Sequence, residues 1–221
     1  MICQVIESIR QELPQQTHLV AVSKYHPCEA IQAAYDCGQR IFGESHVQEL
    51  MAKHDALPKD IKWHFIGHLQ TNKVKYIAPF ISLIHAVDTP KLLNEISKQG
   101  IKNGRRIPCL LELHVAQEES KYGFSLEACE TYLESGEWKT LEGVQICGIM
   151  CMASNTDNEE QIVREFRMAN SFFSLCKEKY FPHDDNFCHR SWGMSDDYPL
   201  AVQNGSTLVR IGTKIFGERS Y

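Results

Sequence analysis

The chain has 221 residues, of which 43% are hydrophobic and 23% charged, and its formal net charge is −5. This composition suits a globular protein with a sizeable core, and mild acidity with dispersed Lys and Arg argues against a nucleic-acid-binding surface. No run approaches the roughly 18 apolar residues of a membrane-spanning helix, and the opening MICQVIESIRQELP lacks the long apolar stretch of an export signal.

The first apolar run, Leu19 to Val22, predicts a buried strand that delivers Lys24 at its end, with Pro27 opening a helix. CEAIQAAYDCG places Ala30, Ile31, Ala34 and Tyr35 on one helical face and stops at Gly38. A second strand over 40–43 leads into FGESHVQEL, which puts Glu44, Ser45 and His46 within reach of a ligand at the strand ends. WHFIGHLQTNK gives a third strand over 62–66 and then a helix start, with His64 read as a core residue. A fourth strand covers 83–87. DTPKLLNEISKQG follows, with Thr89 as N-cap, Pro90 in the first turn and Gly100 as its end.

Strands are expected over 107–115 and 143–150, the latter with Cys147 and Cys151 sharing a face with Ile149. A long helix over 158–180 repeats Ile162, Phe166, Ala169, Phe173 and Cys176 at helical spacing. The seventh strand, 187–191, runs into SWGMSDD and a helix starting at Asp196–Asp197, and the eighth, 206–211, lies in STLVRIGTKIFGER. His183, Cys188 and His189 are metal ligands in type, but their spacing fits no zinc pattern. Nine cysteines at irregular spacings, without an export signal, are expected as reduced thiols in a cytoplasmic protein.

Eight strands alternating with helices predict a parallel sheet, because parallel neighbours need a crossover. The first strand is followed by SKYHP and not by a glycine-rich turn. A closed (β/α)8 TIM barrel is therefore expected over an open sheet, as a single domain over 1–221. Chemistry in that fold sits where strands end.

Three features fall there. A lysine at the barrel mouth, flanked by apolar residues, has a lowered pKa and can form a Schiff base with an aldehyde; the plainer reading of Lys24 is a solvated lysine beyond a strand. Arg210 lies in an otherwise apolar strand, on the face of Leu208 and Gly212, and needs either an anion or a core carboxylate. Gly212 and Thr213 after it, and Ser195 in the preceding strand–helix loop, supply amide and hydroxyl donors suited to a phosphate, although a serine there also suits a helix cap. The last two strand–helix loops of such barrels often bind phosphate.

LVAVSK, IFGE with VQE, WHFIGHLQTNK, ESKYG, GIMCMA, WGMSDD with NGST, and VRIGTKIFGER follow one another across nearly the whole chain. Together they closely resemble the YggS/PROSC family of pyridoxal 5′-phosphate (PLP)-binding proteins, the pyridoxal phosphate homeostasis proteins. The resemblance implies a barrel of PLP fold type III, similar to the N-terminal domain of alanine racemase without its C-terminal β domain. It implies that Lys24 holds PLP as an internal aldimine, that Arg210 faces the pyridine nitrogen, and that Ser195, Gly212 and Thr213 hold the phosphate.

It further implies a role in vitamin B6 homeostasis, buffering or delivering PLP to apo PLP-dependent enzymes with little or no catalysis. A permanently charged arginine opposes protonation of the ring nitrogen and weakens carbanion stabilisation. The racemase's second base comes from a domain for which this chain is expected to have no room. A PLP-dependent amino-acid racemase using His46 or His114 is the alternative, and a Schiff-base aldolase without PLP a more distant one. The expected state is a cytoplasmic monomer with no nucleic-acid, membrane or metal partner. The family commonly has Asn-Tyr where this chain has Ser45-His46, an asparagine at His114 and a smaller aliphatic residue at Trp192.

Overall fold

The computed structural model describes residues 1–118 and 122–218. Glu119, Ser120 and Lys121 of the ESKYG segment, and Arg219 of IFGER, lie outside the described residues. Strands such as HLVAV and LVRI are buried along nearly their whole length. Buried runs of this kind suit a parallel sheet covered outside by helices and filled inside by its own side chains. The eight strands are β1 (His18–Val22), β2 (Ile41–Glu44), β3 (Lys62–Phe65), β4 (Leu83–Val87), β5 (Ile107–Leu113), β6 (Val144–Cys151), β7 (His189–Ser191) and β8 (Leu208–Ile211). They close in sequence order into one barrel. All neighbours are parallel, and β1 seals against β8 with Val20 opposite Arg210.

The helices are α1 (Ile2–Glu12), α2 (Cys28–Asp36), α3 (Val47–Ala56), α4 (Val74–Ile77), α5 (Pro90–Lys102), α6 (Leu126–Ser135), α7 (Glu159–Lys179), α8 (Tyr198–Gln203) and α9 (Thr213–Phe216). Period-two alternation sorts the core into two layers. Leu19 and Ala21, with Phe42, Trp63 and Phe65, join the large shell under the helices. Val20, Leu83, Leu110, Met150 and Leu208 form a smaller cluster inside the barrel. In α7, Ile162, Phe166, Ala169, Phe173 and Cys176 are all buried.

Several expectations need correction. The helix expected to stop at Gly100 runs on to Lys102, because its glycine serves packing: a Cβ on Gly100 would lie 2.0 Å from the Gly143 carbonyl oxygen. Thr89 does cap it, accepting from the Leu92 N–H at 3.3 Å. Pro27 is the N-cap of α2, one residue before the helix. Cys147 and Cys151 do not share a face. The β5–β6 register slips between Cys109 and Leu110, and Gly148 adopts φ 147 with its α-carbon against the His189 backbone. The bulge leaves Cys147 in the inner cluster and turns Ile149 and Cys151 into the outer shell. Nor are all nine cysteines thiols: Cys3 of α1 and Cys37 after α2 are joined as a disulfide with Cα atoms 5.4 Å apart. Pairing across 34 residues follows from the docking of two helices and has no signature in cysteine spacing. The other seven are free.

Candidate functional site

At the C-terminal ends of β1, β7 and β8 a cleft of about 260 Å³ opens, lined by Lys24, Ser195, Arg210, Gly212 and Thr213 together with Val22, His26, Ile66, Met152, Met194 and Asp196. All five residues singled out in the sequence meet there. Lys24 and Tyr25 are the central residues of a turn closed by His26 N–H donating to the Ser23 carbonyl at 3.1 Å. Gly212 packs tightly against β1: a Cβ there would lie 3.0 Å from the Val22 carbonyl oxygen. Its N–H donates to Ser195 Oγ at 3.4 Å, drawing the two anion-suited loops together.

Arg210 rises from inside the barrel and is buried. It has no carboxylate partner within ion-pair distance among the described residues. Instead, Nη1 donates to the Ser191 carbonyl at 2.8 Å and to Ser191 Oγ at 2.6 Å, and Nη2 donates to the Cys151 carbonyl at 3.0 Å. Of the two readings left open by the sequence, the described residues show no core carboxylate pair. Behind Ser191 lies a buried chain: His85 Nδ1 is 2.9 Å from Ser191 Oγ, and His85 Nε2 is 2.9 Å from His64 Nδ1. Burial, helped for His85 by the neighbouring His64 and Arg210, holds both imidazoles neutral, His64 down to about 3 and His85 well below its usual value. Glu112, on β5, is pushed up to about 7 by burial and by Asp88, against the pull of Arg210, and its Oε2 has no hydrogen-bond partner among the described residues. Burial lowers the Arg210 pKa from its usual value, against the pull of Cys151, Asp197 and Glu112, and the guanidinium is held by uncharged acceptors.

The other candidates fall elsewhere. Glu44 is turned into the protein, accepting from Ser23 Oγ at 2.6 Å and from Lys53 Nζ at 2.8 Å. His46 is exposed, with its ring 5.3 Å from that of Tyr25. His114 Nε2 donates to the Glu118 carbonyl at 2.9 Å. Trp192 is fully buried behind the loop that bears Ser195. Neither His46 nor His114, the residues offered as a second base, lines the cleft; the imidazole that does is His26. Ser191 and the Cys151 carbonyl were missed because nothing in a sequence tells which donor–acceptor pairs a barrel interior brings together. Glu49 and Lys53 did leave a signal, an i, i+4 acid–base pair on one helix face.

The residues fit PLP on their own chemistry. An amine for an aldehyde, a held guanidinium, and two hydroxyls with a close-approaching glycine share one cavity slightly smaller than those of drug-sized ligands. An eight-stranded parallel barrel with this site defines the class, that of the alanine racemase N-terminal domain, whose family profile matches residues 3–220. Alanine racemase from Bartonella henselae, 16% identical, superposes over all of this chain and 60% of its own with a TM-score of 0.72, a likeness of fold. A relative from Aquifex aeolicus named pyridoxal phosphate homeostasis protein is 39% identical over 92% of this chain and 87% of its own length. The structure of PipY from Synechococcus elongatus with PLP bound is 33% identical and covers 98% of this chain and 100% of its own, with a TM-score of 0.88. The chain belongs to the pyridoxal phosphate homeostasis protein family.

Proposed function

We propose that the protein binds PLP as a Schiff base on Lys24 and takes part in PLP homeostasis by buffering it or delivering it to apoenzymes. The observation that carries this is the convergence of Lys24, Ser195, Arg210, Gly212 and Thr213 on one cleft. Relatives named for PLP homeostasis, and a neighbour solved with PLP bound, support it. Bound PLP supplies an aldehyde and, in enzymes that use it so, an electron sink. Lys24 would supply the amine that holds this aldehyde, presented at the mouth of the cleft by its turn. Ser195, Gly212 and Thr213 would hold the phosphate, and the Arg210 guanidinium, held by Ser191 and the Cys151 carbonyl, would face the ring nitrogen.

The reading extends to residues 1–221 as one PLP-binding unit, monomeric, in the cytoplasm and with little or no catalysis of its own. No helix among the described residues is long and apolar enough to cross a membrane.

The test adds PLP to the purified protein and to Lys24→Ala. A yellow absorbance is expected in the first and none in the second; a wild type that stays colourless refutes the proposal. Transfer to an apo-aminotransferase, compared with free PLP, separates delivery from buffering. Incubating the loaded protein with single amino-acid enantiomers in deuterated water tests the absence of catalysis. Rapid exchange of the α-proton with racemisation would make the protein an enzyme and direct attention to His26.

A further inference from the structure

The turn that carries Lys24 is held in an unfavourable backbone conformation. Tyr25 has φ 66, the one positive φ at a non-glycine among the described residues. Such a turn asks for a left-handed residue at this place and usually has glycine there, because a Cβ crowds the following carbonyl. A bulky aromatic keeps that conformation when its surroundings over-determine it.

The surroundings here are two charged side chains of α3. Glu49 Oε1 accepts the Tyr25 N–H at 2.6 Å. Lys53 Nζ donates to the Ser23 carbonyl at 2.8 Å, to Glu44 Oε1 at 2.8 Å and to Glu49 Oε1 at 2.6 Å. Each of its three N–H groups thus has an acceptor, and the side chain is 5% exposed. Ser23 is gripped twice, since its hydroxyl also donates to Glu44. The residues on either side of Lys24 are therefore tied to one buried ion cluster, Ser23 through its carbonyl and hydroxyl and Tyr25 through its N–H. A buried ion pair is weak evidence for stability, because desolvation opposes the Coulomb gain. What marks this cluster is its direction: three of its five hydrogen bonds end on Ser23 or Tyr25.

We propose that Glu49 and Lys53 are positioning residues for Lys24, holding the Ser23–His26 turn in the shape that presents the lysine amine to the cleft. This rests on the proposed binding of PLP at Lys24. Neither residue lines the cleft, so neither touches the cofactor. The cluster would act on the condensation and leave phosphate binding alone.

Glu49 is the residue to change, being partly exposed, whereas Lys53→Met would leave Glu44 buried without its cation. Glu49→Ala removes the acceptor of the Tyr25 N–H, and Glu49→Gln keeps one. The probes are PLP and pyridoxine 5′-phosphate, which has an alcohol in place of the aldehyde and cannot condense with an amine. Glu49→Ala should lose about tenfold in PLP affinity, equivalent to about 1.4 kcal/mol, with pyridoxine 5′-phosphate affinity unchanged. Glu49→Gln should stay within about twofold of wild type for both. If Glu49→Ala weakens the two ligands equally, its role is general structural support and the inference fails. If it weakens neither while wild type turns yellow with PLP, the inference fails and the PLP reading stands. A wild type that does not condense with PLP at all overturns both.

Discussion

Replacing Glu44 by glutamine isolates the titration of a single buried carboxyl. Burial is the largest influence on it and pushes its pKa up to about 7; Lys53 and the Ser23 hydroxyl pull the other way, and Glu49 adds to the rise. In the unfolded chain the group returns to its ordinary value of 4.5. The folded protein thus holds the proton more tightly than the unfolded one. The contribution to stability is complete below about 4.5, falls as pH rises, and is gone above about 7. The interval from 4.5 to about 7, at about 1.4 kcal/mol per pH unit, corresponds to about 3 kcal/mol. Glutamine has the shape of the neutral acid and does not titrate. Urea denaturation of wild type and Glu44→Gln at pH 4.5, 6 and 8 reads the difference directly, with other titrating groups cancelling. The variant should gain on wild type by about 3 kcal/mol from the acid to the alkaline end. A flat difference would mean that Lys53 fully offsets burial. A variant that loses ground at pH 8 would reverse the argument, showing that the ion pair outweighs desolvation.

Two further outcomes follow from the same structure. His64, held down to about 3 by burial, should show imidazole proton resonances that do not move between pH 8 and 4.5 in the folded state. Because the unfolded residue titrates near 6.5, its contribution to stability is lost as pH falls from about 6.5 towards 3, and a resonance moving with a midpoint near 6.5 would refute its burial as a neutral group. The Cys3–Cys37 bond closes a loop across 34 residues, so reduction should lower stability by up to about 4 kcal/mol and the melting temperature by roughly 8–16 °C. Ready alkylation of Cys3 in native protein without reductant would show the pair to be thiols.

Much of the site was legible because its signals are local. A charged residue in a strand that is otherwise Leu, Val and Ile, as Arg210 is, stands out from its own neighbours, and a lysine two residues beyond Val22 inherits the inward parity of Val20. What escaped were relations between distant segments. Ser191 holds Arg210 across 19 residues, and Lys53 holds Ser23 across 30. The bulge at Gly148 escaped as well: a period-two reading assumes an unbroken pleat, and one extra residue reverses every later side chain.

By itself the sequence determined the barrel class, the order of strands and the residues that end them, since alternation of apolar strands with capped helices leaves few ways to bury both faces of eight parallel strands. The tertiary structure alone decided how those residues are held. Arg210 is held by carbonyls and a serine where a carboxylate was an equal expectation, and Glu44, placed by the sequence within reach of a ligand, faces Lys53. Both outcomes turn on which polar groups meet after water has been excluded, and that depends on distances of a few ångströms between segments far apart in the chain.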